Sequence, residues 1–123
     1  MAKFRSWNVK RKRFYYFLNG HYFKDEKCTD DWNMIQVWFD WKTVEQSSKY
    51  FDLNGKEIFE GDKLKFTVWF YDGHDETYQG LVKLEDGCVW VEIDENNRYF
   101  LAEVVANDDN CKIIGNIHEG TQQ

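Results

Sequence analysis

No proline occurs in this sequence of 123 residues, and no Gly/Ser tract or low-complexity stretch interrupts it. Linkers are usually built from such segments, so no domain boundary is expected and residues 1–123 read as one unit. Alanine, the best helix former, stands only at positions 2, 102 and 106. Cysteine is scarce and odd in number: Cys28, Cys88 and Cys111 lack the paired spacing of a disulfide framework and read as reduced thiols. No run approaches the roughly 18 consecutive apolar residues of a membrane span. The stretch Met1-Ala2-Lys3-Phe4-Arg5 also lacks a signal peptide's apolar segment. A soluble, cytoplasmic protein with no membrane partner is therefore expected.

Local catalytic and metal-binding motifs are missing as well. There is no Cys-x-x-Cys, no His-Glu-x-x-His and no Gly-rich phosphate loop. His21, His74 and His118 lie far apart, and His74-Asp75-Glu76 has the composition of a solvated turn. The adjacent carboxylates Asp30-Asp31 and Asp108-Asp109 would point to opposite faces of a strand and could not share a proton. The expectation is no metal, no cofactor and no enzymatic activity.

Aromatic residues, in contrast, make up 19% of the chain, with 10 Phe, 7 Tyr and 6 Trp. Each can bury about 150–250 Å², and all three favour pleated, half-buried surfaces. One hydrophobic core is the default at this length. The net charge of -6 is unevenly placed: residues 1–27 hold 8 Lys or Arg against Asp25 and Glu26, a balance of +6, which leaves the remainder at -12. Such asymmetry suits a basic arm for nucleic acid, an acidic face for a basic partner, two faces that meet on self-association, or simply a solvated surface.

Short strands punctuated by turn signals recur along the chain. Phe4–Trp7 and Arg13–Leu18 read as strands, and Asn19-Gly20 predicts a hairpin into His21–Phe23, forming an amino-terminal meander. Ile35, Val37, Phe39 and Trp41 alternate with polar and aromatic neighbours at the period of a half-buried strand. Asn54-Gly55 joins Tyr50–Leu53 to Lys56–Phe59, and Gly61-Asp62 turns the chain into the strand Lys63–Tyr71. Strands near Thr77–Leu84 and Cys88–Ile93 follow as an antiparallel meander, then one short helix near residues 100–106 and a last strand, Lys112–Ile117. The class is mainly β (β-rich α+β), as a small barrel or rolled antiparallel sheet.

Three segments together carry a family resemblance. They are Phe4-Arg5-Ser6-Trp7-Asn8 followed by Phe14-Tyr15-Tyr16, the central Asp52-Leu53-Asn54-Gly55-Lys56-Glu57-Ile58-Phe59-Glu60-Gly61-Asp62, and Ile113-Ile114-Gly115-Asn116-Ile117-His118-Glu119. In order and spacing they resemble the YopX family of phage and prophage proteins. Ser48-Lys49-Tyr50 stands where that family usually has Thr-Gly-Leu. The resemblance implies an SH3-like barrel, a phage or mobile-element origin, oligomers in some cases, and no established activity. The motif residues Asn54, Gly55, Glu57, Glu60, Gly61, Asp62, Gly115 and Asn116 are all usable as turn and bend formers, with a site at Glu57, Glu60 and Asp62 as the functional alternative.

Three binding readings follow. The first is a phage accessory protein acting in the host cytoplasm by non-catalytic binding of a host or phage protein, for instance as an inhibitor of a host factor or defence system; its acidic remainder would occupy a basic surface. The second is nucleic-acid binding, in which Lys10, Arg11, Lys12 and Arg13 neutralise phosphates while Tyr15 and its aromatic neighbours stack on bases. The third is a homo-oligomer held by Trp38, Trp69 and Trp90, which fall opposite the apolar alternation of their strands.

Overall fold

The computed structural model describes residues 3–30, 35–107 and 111–120. It is mainly β, with two antiparallel sheets and two short helices. The backbone divides into two compact units, residues 1–47 and 48–123.

In the first unit, strands β1 (Lys3–Asn8), β2 (Arg13–Leu18) and β3 (His21–Phe23) form the expected meander, in the order β3-β2-β1-β4 with the first half of β4 (Val44–Phe51). Asn19 and Gly20 carry φ values of 55° and 83°, the positive pair that a tight two-residue hairpin demands. Trp7 lies opposite Phe14, their ring centroids 4.9 Å apart. Arg5 on β1 lies opposite Glu45 on β4, where both are buried and joined by an Nε–Oε1 contact of 2.8 Å. Taking two charges out of water is tolerable only with pairing of this kind.

Residues 35–41 do not form the expected strand. They make two 3-10 turns, Ile35–Val37 and Trp41–Thr43. Ile35 and Phe39 are buried, whereas Val37 and Trp41 are exposed, so the effective spacing is four residues and not two. The Phe39 amide donates to Ile35 O at 3.1 Å, and the Asp40 carboxylate accepts from Lys42 N at 2.9 Å to start the second turn. A period of two includes every fourth residue, which is why the pattern misleads.

In the second unit, β5 (Glu57–Phe59) lies beside the end of β4, and a second sheet runs β10-β6-β7-β8-β9. Its strands are β6 (Asp62–Trp69), β7 (Asp75–Glu85), β8 (Cys88–Asp94), β9 (Asn97–Phe100) and β10 (Lys112–Asn116). The β6-β7-β8 meander is as expected. The sheet ends in β10 on one side and β9 on the other, so no closed barrel forms among the described residues. Leu64, Phe66, Val82 and Val91 point inward, while Lys63 and Lys65 alternate with them on β6. The expected helix is α1 (Leu101–Asn107), whose Leu101 and Val104 close the inner face. A second helix, α2 (Ile117–Gly120), begins at Ile117, the residue at which the last strand is expected to end.

The single core expected at this length is replaced by two clusters. One is Tyr15, Ile35 and Phe39, with Phe4, Phe17, Tyr22, Trp38 and Val44 packed against it. The other holds Ile58, Leu64, Phe66, Val82, Val91, Leu101, Val104 and Cys111. Aromatic side chains make the smaller cluster workable, since each can bury about 150–250 Å². Of the paired carboxylates, Asp31, Asp108 and Asp109 lie outside the described residues.

Candidate functional site

The β6–β7 hairpin carries the largest exposed aromatic group in the second unit. Trp69 and Asp75 form its last strand pair. Beyond them the Phe70 amide donates to His74 O at 2.9 Å, the Gly73 amide donates to Phe70 O at 3.0 Å, and the Asp72 carboxylate accepts from His74 N at 3.1 Å. Gly73 takes a φ of 89° at the turn, a conformation glycine adopts without steric cost. The ring of His74 stacks on Phe70 at 4.5 Å, and its Nδ1 contacts the Asp72 carboxylate. Trp69 is 63% exposed and Tyr71 fully exposed.

A groove of about 450 Å³ opens beside this hairpin, lined by Trp69, Tyr71, Phe66, Tyr99, Val104 and Glu103, with Thr67 and Val68. Tyr99 comes from β9 and Glu103 from the first turn of α1, so three elements meet there. Nearby, the Tyr78 hydroxyl donates to Glu76 at 2.9 Å, and that bond pushes the phenol pKa up. The sequence pattern singled out Trp69 alone. Its three consecutive aromatics, Trp69-Phe70-Tyr71, were the available signal, because a strand that buries one face must leave some of them in water.

The family-motif residues serve the fold. The Asp52 carboxylate accepts from Asn54 N and Lys56 N at 2.9 Å and from Ile113 N on β10 at 3.1 Å. Gly55, with a φ of 78°, completes that loop. Gly61 has a φ of 91°, donates to Val82 O at 2.9 Å and accepts from Ile117 N at 3.0 Å. Asp62 is buried and accepts from Phe59 N at 2.8 Å. Asn116 lies opposite it and caps α2, accepting from His118 N and Glu119 N. At Gly115 the β6–β10 register shifts, the local bend anticipated for that glycine. Glu57 and Glu60 are half-buried at either end of β5.

The basic segment is only partly suited to its expected task. Lys10, Arg11, Lys12 and Arg13 are exposed on the β1–β2 turn, with Arg11 4.0 Å over the Trp38 ring. Tyr15, however, is 2% exposed and belongs to the core, so it is not available to stack on a base. Arg13 lines a depression shared with Lys24, Asp25, Glu26 and Asp30, where Lys24 pairs with Asp30 at 3.5 Å.

The three tryptophans have different surroundings. Trp38 is not on a strand; it packs beside Tyr15 at 5.6 Å in the first unit. Trp90 stacks on Phe100 at 4.1 Å beneath Arg98. Trp69 lies opposite Asp75 and Trp90 opposite Lys83, and eight residues of β7 separate those partners by roughly 27 Å at the usual strand rise. Trp69 and Trp90 therefore do not form the single cluster expected.

The family model described as YopX protein matches residues 3–122. The chain belongs to the YopX family. The match spans both units, so the division at Ser47 falls inside one YopX sequence. No curated protein matches the sequence. Among solved structures, that of protein EF1440 from Enterococcus faecalis is similar over 99% of this chain and 96% of its own, with 22% identity and a TM-score of 0.58. At that identity the likeness concerns the fold of this YopX chain and leaves its activity to be argued from its own surface.

Proposed function

We propose that this YopX-family protein is a non-catalytic protein-binding module, an accessory factor of phage or prophage that acts in the host cytoplasm by occupying a partner protein. The observation that supports it is the exposed aromatic tip Trp69-Phe70-Tyr71, set on a paired hairpin beside a groove. Tyrosine and tryptophan are the side chains that most often carry binding energy at protein interfaces, because they bury much area at little entropic cost. Nucleic-acid binding through Lys10, Arg11, Lys12 and Arg13 is the weaker reading, since it keeps the exposed cations but loses Tyr15 as a stacking surface.

The test uses immobilised full-length protein and host lysate, with the double variant Trp69→Ala/Tyr71→Ala run beside the original sequence. Both residues are exposed, so the variant should keep the far-ultraviolet spectrum of the parent. The expected result is one or more proteins retained by the parent and lost from the variant. Identical retention by both, or by neither, removes the reading.

A further inference from the structure

We infer that the groove beside the β6–β7 hairpin receives a cationic side chain, arginine or lysine, from a basic segment of the partner protein; this rests on the protein-binding reading above. It is lined by the exposed Trp69 and Tyr71, the half-buried Tyr99 and the buried Phe66, and Glu103 is the carboxylate residue among its lining. The Glu103 side chain makes no hydrogen bond or ion pair with another described residue. No lysine or arginine occurs between Phe66 and Val82, a stretch that holds Asp72, Asp75 and Glu76.

That combination selects by charge. The faces of aromatic rings attract cations, tryptophan most strongly. An anionic side chain would meet Glu103 with like charge. A neutral apolar side chain would cover the rings but strip water from Glu103 without replacing it, which is unfavourable. A guanidinium or ammonium group satisfies both the rings and the carboxylate, and its aliphatic stem can lie along the apolar wall at Val104. The volume of about 450 Å³ falls within the range of side-chain and small-ligand sites.

Nuclear magnetic resonance titration of the full chain with the peptide acetyl-Gly-Arg-Gly-Arg-Gly-amide tests the inference, with the citrulline isostere of that peptide as the neutral control. Saturable shifts are expected at the Trp69 indole and at the amides of Tyr71, Tyr99 and Glu103. The apparent Kd should rise roughly three- to tenfold for the isostere, which loses the cation–ring contact and the ion pair together, and roughly two- to fivefold for Glu103→Gln, which loses the exposed ion pair alone. Spectra of Glu103→Gln that overlay the parent away from the groove establish its fold. Shifts located elsewhere, equal affinity for the isostere, an unchanged Kd in Glu103→Gln, or no saturable shift would each overturn the inference. If any of these occurs while Trp69→Ala/Tyr71→Ala still loses its lysate partner, the protein-binding reading stands and the cation groove alone is rejected. A saturable groove titration with lysate capture unaffected by that double variant rejects the protein-binding reading instead.

Discussion

Lys49 carries a φ of 66° inside β4, a left-handed backbone that costs an L side chain about 1–2 kcal/mol. Ser47 and Ser48 on its amino-terminal side are both buried, so the in-out alternation breaks there and the strand bends. The Ser48 hydroxyl holds the bend by donating to Ile58 O at 2.6 Å while accepting from Tyr50 N at 3.1 Å. The resembling family's Thr-Gly-Leu places a hydroxyl and a glycine at these same two positions, and this chain keeps the first and replaces the second. Lys49→Gly should therefore stabilise the protein by about 0.5–1 kcal/mol, relief of strain offset in part by glycine's greater freedom when unfolded. Urea denaturation measures this as a higher midpoint at unchanged slope, and a lower midpoint would refute it. Asp52 works in the opposite direction, since its two oxygens serve three backbone amides. Asp52→Ala leaves those donors without their charged acceptor and should cost about 3 kcal/mol in the same assay. Asp52→Asn, which keeps one acceptor oxygen, should lose less.

The second sheet depends on close approach at one glycine. A Cβ built on Gly80 of β7 would stand 2.5 Å from Val91 Cγ1 and 3.1 Å from the Glu92 carbonyl oxygen on β8. The first neighbour is a fully buried core side chain and the second is backbone, so neither can move cheaply. Gly80→Ala should cost roughly 1–3 kcal/mol, in the range of overpacked cores. A thermal unfolding midpoint equal to that of the parent would show that β7 and β8 can separate without loss. Elements of this kind were legible in the sequence to different degrees. Lys63–Tyr71 was visible because Leu64, Phe66 and Val68 alternate with Lys63, Lys65 and Thr67, and Asn19-Gly20 because few residues besides these two tolerate positive φ. The turns at 35–43 were hidden by an apolar spacing that fits two periods at once, and only burial separates them. The strand Asn97–Phe100 has polar and charged residues at Asn97 and Arg98 and gave no apolar alternation to find. The groove was the least legible feature, since Trp69 of β6 meets Tyr99 and Glu103, which come from β9 and α1 with two whole strands between.

Across the whole molecule, buried apolar material is unequally shared. Three buried residues make the cluster of the first unit and eight make that of the second, among the described residues. A fully buried large apolar side chain contributes about 1.5–3 kcal/mol, so the difference amounts to several kcal/mol even though half-buried aromatics around Tyr15 recover part of it. The first unit also places the exposed cations of Lys10, Arg11, Lys12 and Arg13 on consecutive positions, where mutual repulsion works against a compact turn. Local opening should therefore be easier in β2 and β3 than in β6, β7 and β8. Native-state hydrogen exchange under conditions where the opening equilibrium sets the rate reads this residue by residue. The amides of Leu64, Phe66, Val82 and Val91 should be the slowest and exchange only through global unfolding, while those of Tyr15, Phe17 and Tyr22 exchange through openings of lower free energy. Added salt should narrow the gap by screening the basic turn without strengthening the larger core. Equal protection in the two sets at low salt would mean that the clusters open as one cooperative body, and the unequal sharing of buried residues would then have no consequence for stability.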